Sequence, residues 1–296
     1  MNNKNIKRNF IIGDEWLYYK IYTGVKTSDK ILISSIKPLI NQLINNNLID
    51  SWFFIRYADP DFHLRIRFHC LNIDNLGKII KYFLEYIDQF IESDVIWKVQ
   101  VDTYKRELER YGEKNIFLSE QFFYCESLLL LETLSFFSGI NGSQNKFYFV
   151  IKLIDLYIDC FMYDIQNKLD LFETLKESYN NEFNMNKNLK IQIDQKYRLF
   201  YKDIESALSS CKDKTDSNIL TSIELHKIRI TPIIDEINNK RVKGILDVNA
   251  DHLLKSYIHM AFNRFFNSNQ RFHELIIYNL LYRYYKSMIA RMLTSK

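Results

Sequence analysis

The segment FHLRIRFHC, residues 62–70, places a cationic or imidazole side chain at every second position. Successive side chains of a β-strand point to opposite faces of the sheet, so this period of two predicts a strand with two chemically different faces. The preceding SWFFIRY segment and a turn signal at residues 59–61 complete a predicted β-hairpin. The polar face would carry His63, Arg65, Arg67 and His69, and the apolar face Leu64, Ile66, Phe68 and Cys70.

The first hundred residues alternate strand patterns with helical patterns. The strand segments are rich in β-branched and aromatic residues, whereas two intervening segments have helical spacing. The resulting order, βαββαβ, predicts a ferredoxin-like sheet whose two helices cover its apolar face. Strands are expected at residues 15–23, 51–57, 62–70 and 95–104, and helices at 27–46 and 73–93.

The rest of the chain is predicted to be helical, with at least five helices from residue 119 onward. No Gly/Ser-rich or Pro-rich linker interrupts the sequence, which contains only 7 Gly and 3 Pro. Two halves should therefore pack tightly. We predict an α+β protein in which a sheet half, residues 1–110, packs against a larger all-helical half, residues 111–296, as one compact unit.

Composition and motifs exclude several classes of protein. The formal net charge of +4 is too small to indicate nucleic-acid binding by itself. RNA-recognition motifs share the ferredoxin-like sheet, but LRIRFHC lacks their glycine and their outward-facing aromatic residues. P-loop, GxGxxG, GxSxG and HExxH patterns are absent from the sequence. We expect no direct nucleic-acid contact, no metal site and no organic cofactor.

The N-terminal segment and the spacing of the cysteines predict the cellular location of the protein and the redox state of its thiols. The N-terminal segment is basic without an apolar core, and no run approaches the roughly 18 apolar residues of a membrane span. A cytoplasmic protein without a membrane span is expected. The cysteines are far apart and form no CxxC pair, so we expect buried free thiols rather than a zinc site or disulfides. They are Cys70, Cys125, Cys160 and Cys211.

The polar face of the predicted sheet allows two interpretations. It could form a cationic cleft that is roofed by the helical half and binds a ligand, because clefts between halves of a chain commonly hold ligands. It could equally be an open sheet face with solvated side chains. The period of two leaves both interpretations open. The last predicted strand adds Lys98, Gln100, Asp102 and Tyr104 to the polar set.

Three later segments carry polar groups with helical spacing. DTYKRELERYGEK places Arg106 and Arg110 one turn apart if it is helical, and ordinary ion pairing could explain them. SYIHMAFNRFF places His259 and Asn263 on one side of a helix, a pattern also typical of a wet helix face. His252 and Ser256 fall on about the same side. A solvated face suffices to explain Arg271, Glu274, Arg283 and Tyr284 in the final helix.

Four blocks of the chain resemble a known family. EWLYYKIY, WFFIRYADPDFHLRIRF, DTYKRELERYG and IHMAFNRFF are similar to signature blocks of the C-terminal elimination domain of class I lantibiotic dehydratases, the thiopeptide-type bacteriocin biosynthesis domain. The resemblance extends from about Asp14 to the C-terminal helices. It departs at Glu113, where the family has a second glycine, and at Glu126-Ser127, where Asp-Ser is expected.

The resemblance implies a two-stage reaction. A separate glutamylation subunit would transfer glutamate from glutamyl-tRNA to Ser or Thr of a precursor peptide. This chain, as the free-standing elimination half of a split dehydratase, would then remove glutamate and leave dehydroalanine or dehydrobutyrine. The implied partners are the precursor peptide, the glutamylation subunit and, further along the pathway, a lanthionine cyclase.

The same resemblance assigns roles to the polar residues. Arg65, Arg67 and Arg110 suit the stabilisation of developing carboxylate and enolate charge, because the arginine fork pairs bidentately with carboxylates. His259 is the candidate base, since an imidazole titrates near neutrality. The expected substrate-binding or supporting residues are Arg56, His63, Tyr104, Arg106, Asn263 and Arg264.

Two alternative functions are also compatible with the sequence. A pyridine-forming thiopeptide cyclase has a similar fold and joins two dehydroalanines in a formal [4+2] cycloaddition. A noncatalytic subunit could instead present the precursor peptide to other enzymes. The combination of HLRIRF, RYG and the late histidine favours elimination over both.

Overall fold

The computed structural model describes residues 6–139, 141–208 and 217–294 of an α+β protein. The chain divides into two compact units. The first, here called the sheet unit, comprises the residues up to Phe136 together with Ile228–Ser256. The second, here called the helical unit, comprises Phe137–Lys227 and the residues from Tyr257 onward.

The strands of the sheet unit form a large and a small antiparallel sheet. They are β1 (Asn9–Phe10), β2 (Trp16–Thr23), β3 (Ile49–Ala58), β4 (Phe62–Cys70), β5 (Ile96–Val101) and β6 (Tyr104–Lys105). The large sheet has the spatial order β3-β4-β2-β5, and β1 pairs with β6 in the small one. The turn between β3 and β4 contains the predicted Asp59-Pro60 pair, joined by a cis peptide bond.

Two helical segments cover the apolar face of the large sheet. The first runs from α1 (Ser28–Ile31) through a π-helical turn into α2 (Lys37–Asn45), and the second is α3 (Leu76–Glu92). The β4 residues predicted for this face, Leu64, Ile66 and Phe68, are fully buried. Phe83 of α3 stacks on Tyr19 of β2, with ring centres 3.8 Å apart. The period of two in β4 thus predicted the covered face.

A long helix lies along the outer edge of β3. After α4 (Leu108–Tyr111), helix α5 (Ile116–Thr133) brings Phe123 against Phe53, with ring centres 5.4 Å apart. The Ser127 hydroxyl of α5 accepts a hydrogen bond from the Phe54 backbone N–H at 3.3 Å. Outward-facing N–H groups of an edge strand otherwise offer a pairing surface. Helix α5 therefore covers this edge of the sheet.

The units are divided differently from the expected boundary after residue 110. Helix α5 groups with the sheet because its aromatic and hydroxyl side chains pack on β3. Residues 228–256 also belong to the sheet unit; Arg229, for example, donates two hydrogen bonds to Glu132 of α5 at 3.0 and 2.8 Å. Packing of distant segments, rather than a change in composition, sets these boundaries.

The helical unit has its own aromatic core. Phe172 stacks on Tyr285 with ring centres 5.6 Å apart, and the hydroxyl of Tyr157 lies 3.1 Å from Nε2 of the buried His226. Parts of α9 and α10 belong to each unit. The helices after α5 are α6 (Gly142–Cys160), α7 (Ile165–Glu182), α8 (Lys187–Leu208), α9 (Ser217–Val242), α10 (Ala250–Phe265) and α11 (Gln270–Thr294).

The cysteines of the described residues form no disulfide. Cys70 and Cys125 are buried and Cys160 is half-buried, while the predicted thiol at Cys211 lies outside the described residues. Burial raises the pKa of Cys70 to about 12 and that of Cys125 to about 11, so both are protonated at neutral pH. In the described ranges, no helix is both long and apolar enough to cross a membrane.

Candidate functional site

The face of the large sheet opposite α2 and α3 carries the predicted cations. The register pairs Arg67 of β4 with Tyr18 of β2 and Phe53 of β3, and pairs Arg65 with Lys20. Residues directly opposite each other in a ladder share a face. We call Lys20, His63, Arg65 and Arg67 the cationic face. The structure brings the three β4 members together as the alternation predicted.

Arg67 is the buried centre of this face. Its side chain lies among three aromatic rings, with the guanidinium carbon 4.4 Å from the centre of Tyr18, 5.1 Å from Phe53 and 4.9 Å from Tyr104. The residue is only 8% exposed. Its Nε and Nη1 atoms are buried and have no hydrogen-bond partner among the described residues.

The electrostatics of Arg67 favour an anion. Burial lowers the pKa of Arg67, but the guanidinium of arginine remains protonated in proteins. The aromatic rings offer it only their π faces, which stabilise a cation weakly compared with a carboxylate. A bound anion could pair with the two buried donor nitrogens. Arg67 thus has the properties of an anion-binding group.

His63 supports Arg65 from the same strand. Nε of Arg65 lies 3.0 Å from Nε2 of His63, and Nδ1 of His63 lies 2.8 Å from the Asp61 carbonyl. Burial, together with the nearby Arg65 charge, lowers the pKa of His63. A neutral ring that donates from Nδ1 and accepts at Nε2 satisfies both contacts. The guanidinium of Arg65 also lies 3.4 Å from the centre of the Tyr57 ring.

Tyr104 and Arg106 are held by a buried acid that the sequence analysis did not identify. Arg106 donates from Nε and Nη2 to the two carboxylate oxygens of Glu120, each at 2.7 Å. The Tyr104 hydroxyl donates to the same carboxylate at 2.7 Å, and burial raises its pKa well above the usual value. The Arg106–Glu120 ion pair therefore anchors the aromatic ring that faces Arg67.

Arg110 approaches the N-terminal part of α10. Its Nε donates to the Ser256 hydroxyl at 3.0 Å, and Nη1 lies 3.4 Å from the Glu107 carboxylate. Arg106 precedes α4 while Arg110 lies within it, so the two do not share the helical turn that their spacing suggested.

The glycine of the RYG block fixes the chain just after Arg110. Gly112 has a φ of 81°, in the left-handed region that side chains disfavour. A Cβ at this position would collide with the Asp247 carboxylate, which accepts a hydrogen bond from the Lys114 backbone N–H at 2.8 Å. Both the backbone angle and the close approach require glycine here.

Arg56 does not lie on the cationic face. It pairs with Leu64 in the register and is therefore on the face covered by the helices. There its guanidinium donates to Ser28 at 2.7 Å and to Asp29 at 2.6 Å. The sequence did not show this, because SWFFIRY is apolar on both faces and its alternation is ambiguous. Arg56 is an internal ion-pair partner rather than a group facing Arg65 and Arg67.

His259 lies on α10 in the helical unit and bonds to a buried carboxylate. Its Nδ1 is 3.0 Å from Oε1 of Glu274 on α11. Glu274 is fully buried and also accepts hydrogen bonds from the Tyr278 hydroxyl at 3.1 Å and from Arg271 at 3.3 Å. A carboxylate on Nδ1 fixes the imidazole tautomer and leaves Nε2 to exchange protons.

The interpretation of the polar residues of α11 as a solvated helix face is wrong at two positions. Glu274 is fully buried, and Tyr284 is 6% exposed. The other predicted residues of α10 have different environments: Asn263, one turn after His259, is half-buried, and Arg264 is fully buried.

A cavity of about 500 Å³ lies elsewhere in the sheet unit. It is lined by residues of β3, α5 and α9, among them Tyr124, Cys125 and Arg229, and includes none of the predicted site residues. Across residues 6–139, 141–208 and 217–294, no cluster of three or more His, Cys, Asp or Glu side chains could hold a metal ion.

Comparison with known proteins identifies the family. The family model described as lantibiotic biosynthesis dehydratase C-term matches residues 16–285. The chain belongs to this family. The match includes the cationic face, the RYG glycine and the His259–Glu274 pair. Family membership places the chain among proteins of ribosomal-peptide antibiotic biosynthesis.

Individual relatives of the family agree with this assignment. The chain is 27% identical to nisin biosynthesis protein NisB of Lactococcus lactis subsp. lactis over 248 residues, which cover 81% of this chain and 24% of NisB. This chain thus spans about a quarter of that relative.

Solved structures show the same fold. The tRNA-dependent lantibiotic dehydratase MibB from Microbispora sp. 107891 superposes with a TM-score of 0.70 and 17% identity, covering 94% of this chain and 29% of MibB. The pyridine synthase TbtD from thiomuracin biosynthesis superposes with a TM-score of 0.68 and 10% identity, covering 93% of this chain and 98% of TbtD.

Proposed function

We propose that this chain eliminates glutamate from glutamylated Ser or Thr residues of a precursor peptide, leaving dehydroalanine or dehydrobutyrine. The observation that carries the proposal is Arg67, a buried cation whose Nε and Nη1 have no partner among the described residues. Such a group suits a reaction that develops and releases negative charge. Membership of the dehydratase family makes the glutamate ester the best-supported substrate.

The reaction needs a base and at least one anion-stabilising group. The base takes the Cα proton of the esterified residue, and the electron pair forms an enolate on the adjacent amide carbonyl. Collapse of the enolate forms the Cα–Cβ double bond and breaks the Cβ–O bond, so glutamate departs as a carboxylate. Preorganised donors that stabilise such charge commonly provide the largest catalytic contribution.

We assign these roles to four residues. Arg65, Arg67 and Arg110 stabilise the enolate or the departing carboxylate, and His259 takes the Cα proton through Nε2. The Glu274 carboxylate on Nδ1 would stabilise the imidazolium that forms, as the acid of a catalytic triad does.

Supporting roles follow from the contacts of the neighbouring residues. His63 holds Arg65, and the Glu120–Tyr104 hydrogen bond fixes one of the rings around Arg67. Asn263 and Arg264 are proposed to bind substrate near His259. The βαββαβ order and the β3-β4-β2-β5 pairing support the further proposal that the large sheet is ferredoxin-like.

The proposal requires other proteins. We propose that a separate subunit uses glutamyl-tRNA to glutamylate the precursor peptide before this chain acts on it. This chain would then act as the elimination subunit of a split dehydratase in the cytoplasm, and a lanthionine cyclase would consume the dehydrated peptide.

The test uses the isolated chain and a precursor peptide that has already been glutamylated. We expect free glutamate and a dehydrated peptide without ATP or tRNA, since the ester is already an activated leaving group. Tight binding of a verified cognate substrate without any glutamate release would contradict elimination and favour a peptide-presenting subunit.

A second candidate function is pyridine formation. It is favoured by the likeness to TbtD over nearly the full length of both chains. Incubation with a fully dehydrated precursor discriminates the two: a pyridine-containing macrocycle would select the synthase, whereas an unchanged peptide is expected for an elimination enzyme.

A further inference from the structure

The outer edge of β5 is open, in contrast to the edge of β3 that α5 covers. Among the described strands, β5 pairs only with β2 and so ends the large sheet. The Asp102 backbone N–H donates to the Tyr18 carbonyl at 3.1 Å, so these two residues form a hydrogen-bonded pair. In an antiparallel ladder such pairs alternate along the strand. The N–H and C=O groups of Val99 and Val101 therefore point away from β2.

An apolar strip accompanies this open edge. Trp97 is 53% exposed and Val101 is 40% exposed, and the pairing of Val101 with Tyr19 places it on the face of β5 that the helices cover. On α3, Leu84 is 53% exposed and has the exposed Ile80 and Ile91 four and seven residues away on the same flank.

The apolar flank of α3 faces the β5 side of the sheet. Tyr86 hydrogen-bonds to Gln42 of α2 and so marks the opposite flank, because two residues turn the helix by about 200°. α2 contacts β3 whereas α3 contacts β5. The flank with Leu84 therefore lies towards the open edge.

We propose that β5 pairs antiparallel with the β5 of a second copy of this chain, about a two-fold axis at Gln100. This register places Val99 opposite Val101 of the other copy, so the outward backbone groups of both residues form hydrogen bonds. It also places Lys98 of each copy opposite Asp102 of the other copy, so the interface contains two such opposite-charge pairs. Opposite charges on facing residues stabilise a strand pair, and like charges destabilise it.

The self-complementary charge pattern favours a second copy over a peptide. An isologous interface needs a surface that matches itself after rotation, and the Lys98, Gln100 and Asp102 sequence does so. The same pairing brings the apolar strips of the two copies together, which removes Trp97 and Val101 from water.

The first test is the molar mass of the chain in solution. We expect the wild-type protein to sediment as a dimer, with twice the chain mass of 35.7 kDa. Lys98→Glu and Asp102→Lys each create two like-charge pairs between the copies and should each halve the molar mass; Asp102→Lys also replaces the ion pair of Asp102 with Lys20 inside each chain. An equimolar mixture of these two variants restores both opposite-charge pairs and should regain the dimer.

The second test fixes the register. Gln100→Cys should form a disulfide-linked dimer under mild oxidation, because facing residues of a non-hydrogen-bonded pair have Cα atoms about 4.5 Å apart. Thr103→Cys is the matched control, since its two copies would be about 20 Å apart. It retains all native cysteines and should not cross-link.

Several outcomes would overturn the proposal. A monomeric wild-type protein at every concentration tested would do so, as would a mixture of charge variants that stays monomeric although each variant is folded by circular dichroism. A third outcome is a monomer whose β5 amides become protected from hydrogen exchange only when precursor peptide is added. That result would assign this edge to the peptide instead.

Discussion

The guanidinium carbon of Arg67 lies 4.4 Å from the centre of the Tyr18 ring, directly across the β4–β2 ladder. The ring covers one side of a cation whose Nε and Nη1 have no hydrogen-bond partner in the described part of the chain. Position and orientation of the guanidinium are thereby fixed before any anion binds.

Arg67→Lys should slow glutamate elimination by roughly 10²–10³, the usual cost of losing one preorganised donor at a developing anion. Lysine keeps the charge but loses the planar fork that pairs with two oxygens. Cells that contain this variant and an active glutamylation partner should accumulate precursor peptide with glutamyl mass additions, visible by mass spectrometry. Dehydration at the wild-type rate would show that Arg67 has only a structural role.

Glu274→Gln should reduce kcat by roughly 10²–10⁴ with little change in KM, because the buried carboxylate orients His259 and would stabilise its protonated form. Glutamine keeps the size of the side chain, so the variant is expected to fold. Its folding can be verified independently of its activity. Glu182→Gln is the matched control, since Glu182 also pairs with Arg271 but is part-exposed. The assignment of Glu274 fails if both variants have the same kcat.

Glu120→Ala should lower the free energy of unfolding by about 3–5 kcal/mol, because it leaves the buried Arg106 guanidinium without its carboxylate partner. The side chains of Arg106 and Glu120 are only 2% and 5% exposed. Glu109→Ala removes the exposed partner of Arg8 and should leave the free energy of unfolding almost unchanged. Urea denaturation of both variants provides the measurement.

Acidification should destabilise the protein partly through His273. Burial, with smaller effects of Lys196 and Lys146, lowers the pKa of His273 to about 4. The unfolded chain binds this proton near pH 6.5, so the contribution of neutral His273 is complete above about pH 6.5 and decreases towards pH 4. His273→Phe keeps the stacking on Phe266 and should reduce the loss of unfolding free energy between pH 7 and pH 5. Identical losses in the two proteins would contradict this assignment.

The sequence predicts those features of the fold and of the site that a local residue pattern determines. It does not predict features that depend on packing between distant segments. The faces of β4 follow from its period of two, because one face is apolar throughout. Glu120 was missed since its partner Arg106 is fourteen residues away, in the loop between β6 and α4, a separation that no helical or strand period shows.

Glu274 shows the same limit on a helix. Residues 274–281 of α11 are all buried, so this stretch has no exposed side from which a period could be recognised. An acid in such a stretch has no predictable orientation, and only its contacts to His259, Tyr278 and Arg271 reveal its environment.

The hydrogen bond from Phe54 to Ser127 has a consequence for assembly. With α5 along β3, strand addition to the large sheet can proceed at only one side. Two copies joined at β5 would each use the open edge of their large sheet. No open edge of a large sheet would then remain for a third copy to pair with. In the proposed dimer, growth would therefore stop at a finite particle, and an exposed strand that could otherwise nucleate fibres would be restricted to a closed, two-fold assembly.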